Sequence, residues 1–283
     1  MDSNGILFAE GKSSVPEIEF VDFGLPSGTL WSTKNIGATN GATAESWYGN
    51  YYAWGEIETK TKYDWSTYKY GNGALTKYCN KSGYGNNGFT DKLRQLVPED
   101  DVATVTKSAW RMPSKEDFEE LLAGTTNSWV TDYNGISGLN GRVFTKVKII
   151  RQAFKTIPLY SPFFKDEMWP EVSKFTLEEI NAIFGGDVRE QIFKDKQMKV
   201  KADYNTDYGF IEKEVDSSVS IFIPAAGYRD GSDIYSVGSN CYLWSLSLNL
   251  DNPNNAYSLN FNSDRIRVNY DFRYSGLSVR PIC

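Results

Sequence analysis

The chain reads Tyr257-Ser258-Leu259-Asn260-Phe261-Asn262-Ser263-Asp264-Arg265-Ile266-Arg267-Val268-Asn269-Tyr270-Asp271 where its polar and apolar residues alternate most regularly. Successive side chains of a β-strand point to opposite faces, so this alternation predicts strands with one apolar and one polar face. The Asn262-Ser263-Asp264 segment is typical of a turn and lies where the pattern reverses. The sequence therefore predicts a half-buried β-hairpin.

The two faces of this hairpin differ in the polarity of their side chains. The apolar face is predicted to hold Leu259, Phe261, Ile266 and Val268, and the outward face Ser258, Asn260, Asn262, Arg265, Arg267 and Asn269. Tyr270, Asp271 and Phe272 follow beside them. Aromatic residues give large contact area at low entropic cost, and Asn and Ser give adaptable hydrogen bonds. The outward face therefore favours recognition over catalysis, with a solvated edge hairpin as the alternative.

The composition of the last part of the chain is unusual. From Val215 to Cys283 there is no Lys, Glu, Gln or Met, although all four occur earlier. Codons that end in a pyrimidine encode every residue type on the predicted outward face and none of the four missing types. This agrees with a fixed scaffold that carries interchangeable residues.

The whole-chain composition excludes several functions. The 283 residues carry a net charge of −6 and a pI of about 5.0, without a basic stripe, so we expect neither nucleic acid nor an anionic membrane as partner. Histidine is absent, which removes Ser-His-Asp and Cys-His catalysis. There is no apolar run of about 18 residues, and the first twenty residues lack the apolar h-region of a secretory signal, so we expect no leader within them. We predict no enzyme activity, no cofactor, no metal site and no membrane insertion.

The three cysteines, Cys79, Cys241 and Cys283, are too few and too scattered for a disulfide framework or a zinc site. Two interpretations remain open at this point. Cys79 pairs with Cys241, or all three are ordinary free thiols.

The chain divides into three kinds of sequence. Residues 1–18 are polar and are predicted to form a flexible tail, and residues 19–283 to form one α+β domain with short strands. A mainly helical insertion is predicted over 147–217, where Lys, Glu, Ile and Phe accumulate and turn residues thin out. The insertion is either a partner or oligomer contact or a packed elaboration of the core.

Two framework helices are predicted before the insertion. Ser114 and Asp117 have capping-box spacing, Phe118, Leu121 and Leu122 form an apolar stripe, and Gly124 ends that helix. The second helix is predicted near Asp91–Leu96. Within the insertion, helices are predicted over 177–184 and 188–193, on either side of Gly185-Gly186.

Some side chains outside the hairpin are also candidates for chemistry. Asp100-Asp101 could ligate calcium but lacks the oxygen spacing of an EF-hand, so a helix cap is favoured. Glu119-Glu120 is predicted to be solvated on the outer side of its helix. Several tryptophans could stack on sugars, with a core role as the more common alternative: Trp31, Trp47, Trp54, Trp65, Trp110, Trp129 and Trp244.

Five ordered motifs carry a family resemblance: Val21–Trp31, Tyr51–Glu56, Trp110–Ser114, Pro224–Arg229 and Gly276–Pro281. In this order they resemble the Fibrobacter succinogenes major paralogous domain family of gut Bacteroidetes, which is similar to the C-type lectin fold of formylglycine-generating enzymes. The match covers about residues 19–145 and 218–283, and the insertion lies outside it. The stretch Trp244–Pro281 further resembles the variable region of proteins diversified by retroelements, in which template adenines are mutagenised.

The resemblance implies a C-type lectin-like fold and a hypervariable ligand surface. It implies varied positions at Arg265, Arg267, Tyr270, Asp271, Phe272 and Ser275, and framework positions at Leu259, Phe261, Ile266, Val268 and Arg280. It does not imply calcium-dependent sugar binding or oxidase activity, because the corresponding sugar motifs and paired cysteines are missing. With the hairpin pattern, the predicted ligand-binding set is Ser258, Asn260, Asn262, Arg265, Arg267, Asn269, Tyr270, Asp271, Phe272 and Ser275.

Three functions compete at this stage. The leading hypothesis is a diversified adhesin or receptor-binding protein, exposed on a phage virion or a bacterial surface, that captures a protein or glycan on another cell. The second is a surface adhesin of the same fold with one fixed carbohydrate specificity. The third is a copper or thiol oxidase like the fold's catalytic relatives.

Overall fold

A computed structural model describes residues 18–154, 169, 171–174, 176, 178, 201–202 and 208–283. Strands predominate over helices within these ranges, so the protein is a mixed α and β structure built mainly on open sheets. The predicted tail, apart from Ile18, and the two predicted helices of the insertion, apart from Glu178, lie outside the described residues.

The regular elements are short except for two strands. The strands are β1 (Phe20–Asp22), β2 (Leu30–Ser32), β3 (Thr125–Val130), β4 (Gly141–Phe154), β5 (Ser173–Lys174), β6 (Lys201–Ala202), β7 (Tyr208–Pro224), β8 (Tyr228–Asp230), β9 (Asp233–Tyr235), β10 (Cys241–Leu248), β11 (Asn255–Phe261) and β12 (Ile266–Phe272). The α-helices are α1 (Glu45–Tyr48), α2 (Val102–Thr106) and α3 (Lys115–Gly124).

The predicted hairpin is confirmed as β11 and β12. The two strands pair antiparallel, with Leu259 opposite Val268 and Phe261 opposite Ile266. The Asn262 side chain makes the turn, because its Oδ1 accepts the backbone N–H groups of Asp264 and Arg265, both at 3.0 Å. β10 pairs with the other edge of β11, so the sheet order is β10-β11-β12.

This three-stranded sheet is covered by a different apolar cluster on each face. On one face, Leu243 and Leu259 pack in a cluster with Phe118 and Leu121 of α3. On the other face, Trp244 belongs to a second cluster, together with Tyr52, Trp54, Leu248 and Ala256. β11 is the central strand and is therefore covered on both sides, whereas β12 lies at the sheet edge.

The second large sheet corrects the predicted limits of the insertion. β4 and β7 pair antiparallel from Gly141 opposite Pro224 to Phe154 opposite Gly209. Residues 147–154 and 208–217, predicted as parts of a helical insertion, are therefore strand. Val147 and Ile149 are buried while Lys148 between them is exposed, which is the period of a strand. The prediction gave more weight to the Lys, Glu and Ile content than to this period.

Helix α3 confirms the predicted capping box. The Ser114 hydroxyl accepts the Asp117 N–H at 3.1 Å, and the Asp117 carboxylate accepts the Ser114 N–H at 2.7 Å. The prediction that Glu119-Glu120 is solvated was wrong, since both residues are buried. Glu120 accepts the backbone N–H of Ser27 at 2.8 Å, and Glu119 lies 3.3 Å from the ammonium of Lys115.

The prediction of a helix near Asp91–Leu96 was also wrong. The Leu96 N–H donates to the Leu246 carbonyl at 2.9 Å, and the Leu248 N–H donates to the Arg94 carbonyl at 2.9 Å. The segment is thus extended alongside β10, because partners distant in the sequence satisfy its backbone groups. A local pattern contains no information about such a partner.

The structure also bears on the predictions for Asp101, the cysteines and the tryptophans. Asp101 caps α2, accepting the Ala103 N–H at 2.8 Å, as predicted for the favoured alternative. All three cysteines are free, so Cys79 and Cys241 do not pair. Trp31, Trp54, Trp110 and Trp244 are buried, and Trp47, Trp65 and Trp129 are half-buried.

Candidate ligand-binding surface

The ten residues of the predicted ligand-binding set differ in exposure. Arg265, Arg267, Tyr270 and Phe272 are exposed, and Asn260, Asn262, Asn269 and Asp271 are half-buried. Ser258 and Ser275 are buried. Alternation alone assigned Ser258 to an open face, but β11 is a central strand whose polar face is covered as well.

The strand register divides the exposed residues of β12 between two faces. Arg267, Asn269 and Asp271 lie opposite Asn260, Ser258 and Ala256, on the polar face. Tyr270 and Phe272 lie opposite Tyr257 and Asn255, on the face of Val268. The structure therefore does not bring all ten residues onto one plane. It places polar residues on one side of the β12 edge and aromatic residues on the other.

A hydrogen-bonded carboxyl group lies on the polar face near the C-terminal end of β12. The Ser258 hydroxyl donates to Oδ2 of Asp271 across the two strands at 2.5 Å. Burial raises the pKa of the Asp271 carboxyl above its ordinary value, while the Ser258 hydroxyl and the Arg267 guanidinium act to lower it. Ser258 is therefore not accessible to a ligand itself, but its hydrogen bond holds the Asp271 carboxyl in place.

An aromatic cluster continues the surface beyond the end of β12. The rings of Phe272 and Tyr274 are stacked at 5.4 Å between centroids, and Trp65 lies 5.1 Å from Tyr274 and 6.4 Å from Phe272. Trp65 and Tyr274 are half-buried. Neither residue belongs to the predicted ligand-binding set. Tyr274 directly follows β12 in the sequence, whereas Trp65 is brought next to the end of β12 only by the fold.

The β8–β9 hairpin adds a second exposed group. Arg229 and Gly276 exchange backbone hydrogen bonds of 2.7 and 2.9 Å, which join β8 to the segment after β12. Ile234, Tyr235 and Val237 are each more than 40% exposed. Alternation within such short strands gave no signal for these residues.

One glycine holds this hairpin close to the body of the protein. Gly227 has φ +65°, and a Cβ atom at this position would lie 2.0 Å from the Tyr235 carbonyl oxygen. No other residue fits here without moving the hairpin.

Two buried arginines hold the ends of the β11–β12 hairpin. Arg142 of β4 donates to the carbonyl oxygens of Asn262 and Ser263 at 2.8 to 3.0 Å. Arg273, at the other end, is fully buried and donates to the carbonyls of Lys77, Tyr78 and Pro253 and to the hydroxyl of Tyr68, at 2.9 to 3.1 Å. The Arg273 guanidinium also lies 4.9 Å from the Trp54 ring centre.

Three further observations concern metal ligands, the Cys241 thiol and membrane crossing. They contain no group of three or more His, Cys, Asp or Glu side chains suited to a metal ion. Burial raises the pKa of the Cys241 thiol far above its ordinary value, so this thiol is protonated and a poor nucleophile. Among the described helices, none combines the length and apolar character needed to cross a membrane.

Comparison with known proteins adds nothing further to this site. No protein-family model, no curated protein and no solved structure matches the chain significantly.

Proposed function

We propose that this protein is a ligand-binding adhesin or receptor-recognition protein that displays a hypervariable surface on a C-type lectin-like scaffold. The binding surface is the β12 edge together with the turn before it and the aromatic cluster after it. The ligand is a protein or glycan on another cell, and the protein is exposed on a phage virion or a bacterial surface.

The observation that carries this proposal is the contrast between the framework and the surface of one hairpin. Leu259 and Phe261 are fully buried, whereas Tyr270 and Phe272, in the paired strand, are 51% and 48% exposed. Single exposed apolar side chains are ordinary, but two large exposed aromatic residues on an edge strand that also presents exposed arginine are typical of an interaction site. The framework can persist while the exposed residues change.

The source of variation that we propose is a diversity-generating retroelement. The absence of Lys, Glu, Gln and Met from Val215 to Cys283 supports it, since codons with a fixed pyrimidine cannot produce them. The resemblance of Trp244–Pro281 to a retroelement variable region supports it further. A rigid scaffold under such mutagenesis yields many specificities from one fold.

Sequencing sibling chains and the surrounding DNA tests this function. We expect substitutions concentrated between Trp244 and Ser275, a nearby reverse-transcriptase gene, and a near-copy of the last hundred or so bases that differs only at adenines. Substitutions spread evenly along the chain would contradict the proposal.

A second candidate is an adhesin with one fixed carbohydrate specificity. The Trp65, Phe272 and Tyr274 cluster favours it, because half-exposed aromatic rings offer stacking faces for sugars. A glycan array with the Tyr270→Ala/Phe272→Ala double variant separates the two candidates. A fixed lectin should bind one sugar class and lose it in this variant, but keep it in Val105→Ala, which removes an exposed apolar side chain on α2.

A further inference from the structure

The outer edge of β12 carries backbone groups that the hairpin does not use. The Asn262 N–H donates to the Arg265 carbonyl, and the Arg273 N–H donates to the Asn254 carbonyl. Hydrogen-bonded pairs alternate along an antiparallel ladder, so Arg267, Asn269 and Asp271 direct their backbone groups to β11. The N–H and C=O groups of the residues that alternate with them therefore point away from the sheet: Ile266, Val268 and Tyr270.

These outward groups have no partner within the part of the chain that the structure describes. β12 pairs only with β11 there, and no other hydrogen bond reaches the backbone of Ile266, Val268 or Tyr270. The edge also lacks proline, lysine and a bulge, which are common devices against strand addition. An edge of this kind can accept a further strand.

The charges along this edge select the kind of strand. Arg265 and Arg267 are exposed and, among the described residues, neither has an ion-pair partner. Two carboxylates lie nearby and keep their negative charge when a hydroxyl donates to them: the half-buried Asp271, which accepts the Ser258 hydroxyl, and Asp264 in the turn, which accepts the Ser263 hydroxyl. The stretch Ile266–Tyr270, whose outward backbone groups are free, contains Arg267 as its charged residue and follows directly on Arg265, and both side chains are exposed. The positive charge of this stretch suits an acidic partner.

A second copy of this chain fits the edge less well. In a two-fold antiparallel pair centred on Val268, Arg267 would lie opposite Asn269 and Arg265 opposite Asp271. The first pair leaves Arg267 without a carboxylate, and the second requires a carboxyl group that already binds Ser258. Such a pair would also depend on side chains that we propose are replaceable.

We propose that the β12 edge binds an extended, acidic segment of a partner protein by strand addition. This inference rests on the proposed function and specifies its ligand. Main-chain hydrogen bonds to Ile266, Val268 and Tyr270 provide an attraction that does not depend on the side chains, and Arg265, Arg267 and Asn269 select among partners. Diversified side chains would thus change specificity while the docking mode stays the same.

Fluorescence anisotropy with labelled peptides tests this inference. The probe alternates valine and glutamate, so that glutamates face the two arginines, and the control peptide alternates valine and lysine. We expect the acidic peptide to bind at least about tenfold more tightly than the basic one. Amide exchange at Ile266, Val268 and Tyr270 should slow when the acidic peptide binds.

Two variants test the mechanism. Val268→Pro removes an outward N–H without breaking the ladder to β11, so we expect about tenfold weaker binding and a retained fold, with Val268→Thr as the matched control that keeps the N–H. Arg265→Glu/Arg267→Glu should reverse the preference in favour of the lysine peptide. This second variant keeps the inference testable if the proline variant does not fold.

Several results would overturn the inference. They are equal binding of both peptides, no binding of either, unchanged binding by folded Val268→Pro, and a dimer of the unliganded protein that Val268→Pro dissociates. The last would show that a second copy occupies the edge. Sibling sequences that vary between Trp244 and Ser275, combined with any of these results, would leave the proposed function standing and remove only the acidic-strand inference.

Discussion

β11 and β12 are equally long strands of one hairpin, yet their surroundings are opposite. β11 lies between β10 and β12 with an apolar cluster on each face, and Ala256, Ser258, Leu259 and Phe261 are all fully buried. Within the described residues β12 pairs with β11 alone, and no residue of β12 is buried. The comparison shows that strand position, more than the polarity of a residue, decides which side chains a ligand can reach.

Cavity-forming substitutions on the two strands should have the largest and most unequal effects. Leu259→Ala should lower the free energy of unfolding by about 3–5 kcal/mol, because it opens a cavity in a covered strand. Val268 is the cross-strand neighbour of Leu259 and is half-buried, so Val268→Ala should lower the free energy of unfolding by only about 1 kcal/mol. Urea unfolding of both variants measures the difference. Equal losses would show that β12 is as well packed as β11.

Substitutions of two arginines near the ends of β12 should also differ in how much they lower the free energy of unfolding, but by less than the two strand substitutions do. Arg273→Met leaves three backbone carbonyls and the Tyr68 hydroxyl without their donor in a buried site, so we expect a loss of about 2–4 kcal/mol. Arg267→Met replaces an exposed side chain and should change stability by less than about 0.5 kcal/mol. Thermal unfolding followed by circular dichroism compares them. A large loss in Arg267→Met would contradict its assignment to the replaceable surface.

The smallest effect is a pH dependence at Asp271. Its pKa is raised in the folded protein, so the folded state binds this proton more tightly than the unfolded chain. Its contribution to stability is therefore full below the ordinary Asp pKa of about 4 and is lost as pH rises through the raised value. Asp271→Asn should remove this decline.

The remaining charged and titratable neighbours of Asp271 are Arg267, Tyr228 and Tyr242, and the tyrosines stay neutral across this range. Ser258→Ala should steepen the decline, because it removes the hydroxyl that lowers the Asp271 pKa. Unfolding free energies of the wild type and both variants between pH 4 and pH 7 check the two signs. A decline that persists in full in Asp271→Asn would assign it to another group.

The sequence predicted those features that depend on neighbours close along the chain. The turn at Asn262, the shared face of Leu259 and Val268, and the capping box of Ser114 with Asp117 all follow from spacing within a few residues. Periodicity and capping are local in origin, so one sequence is enough to find them.

Features that depend on distant partners were missed. Asp91–Leu96 is extended because β10 lies beside it, and Glu120 is buried because Ser27 hydrogen-bonds to it. Trp65 joins the candidate site only because the fold places it against Tyr274. Ser258 was assigned to the open face since alternation describes one strand and does not say what covers it. The candidate surface was therefore predictable in its location and not in its full composition.

Arg142 holds the turn of the hairpin through the main-chain carbonyl oxygens of Asn262 and Ser263. Arg273 joins the end of β12 to the main-chain carbonyl oxygens of Lys77, Tyr78 and Pro253. Every amino acid supplies that oxygen, so these two anchors are indifferent to the identity of the residues they hold. Randomising positions 262 to 272 in a laboratory library would therefore discard few members through loss of the anchors. Because the two anchors do not depend on side-chain identity, natural mutation of the hairpin could change its binding surface without loss of the anchors.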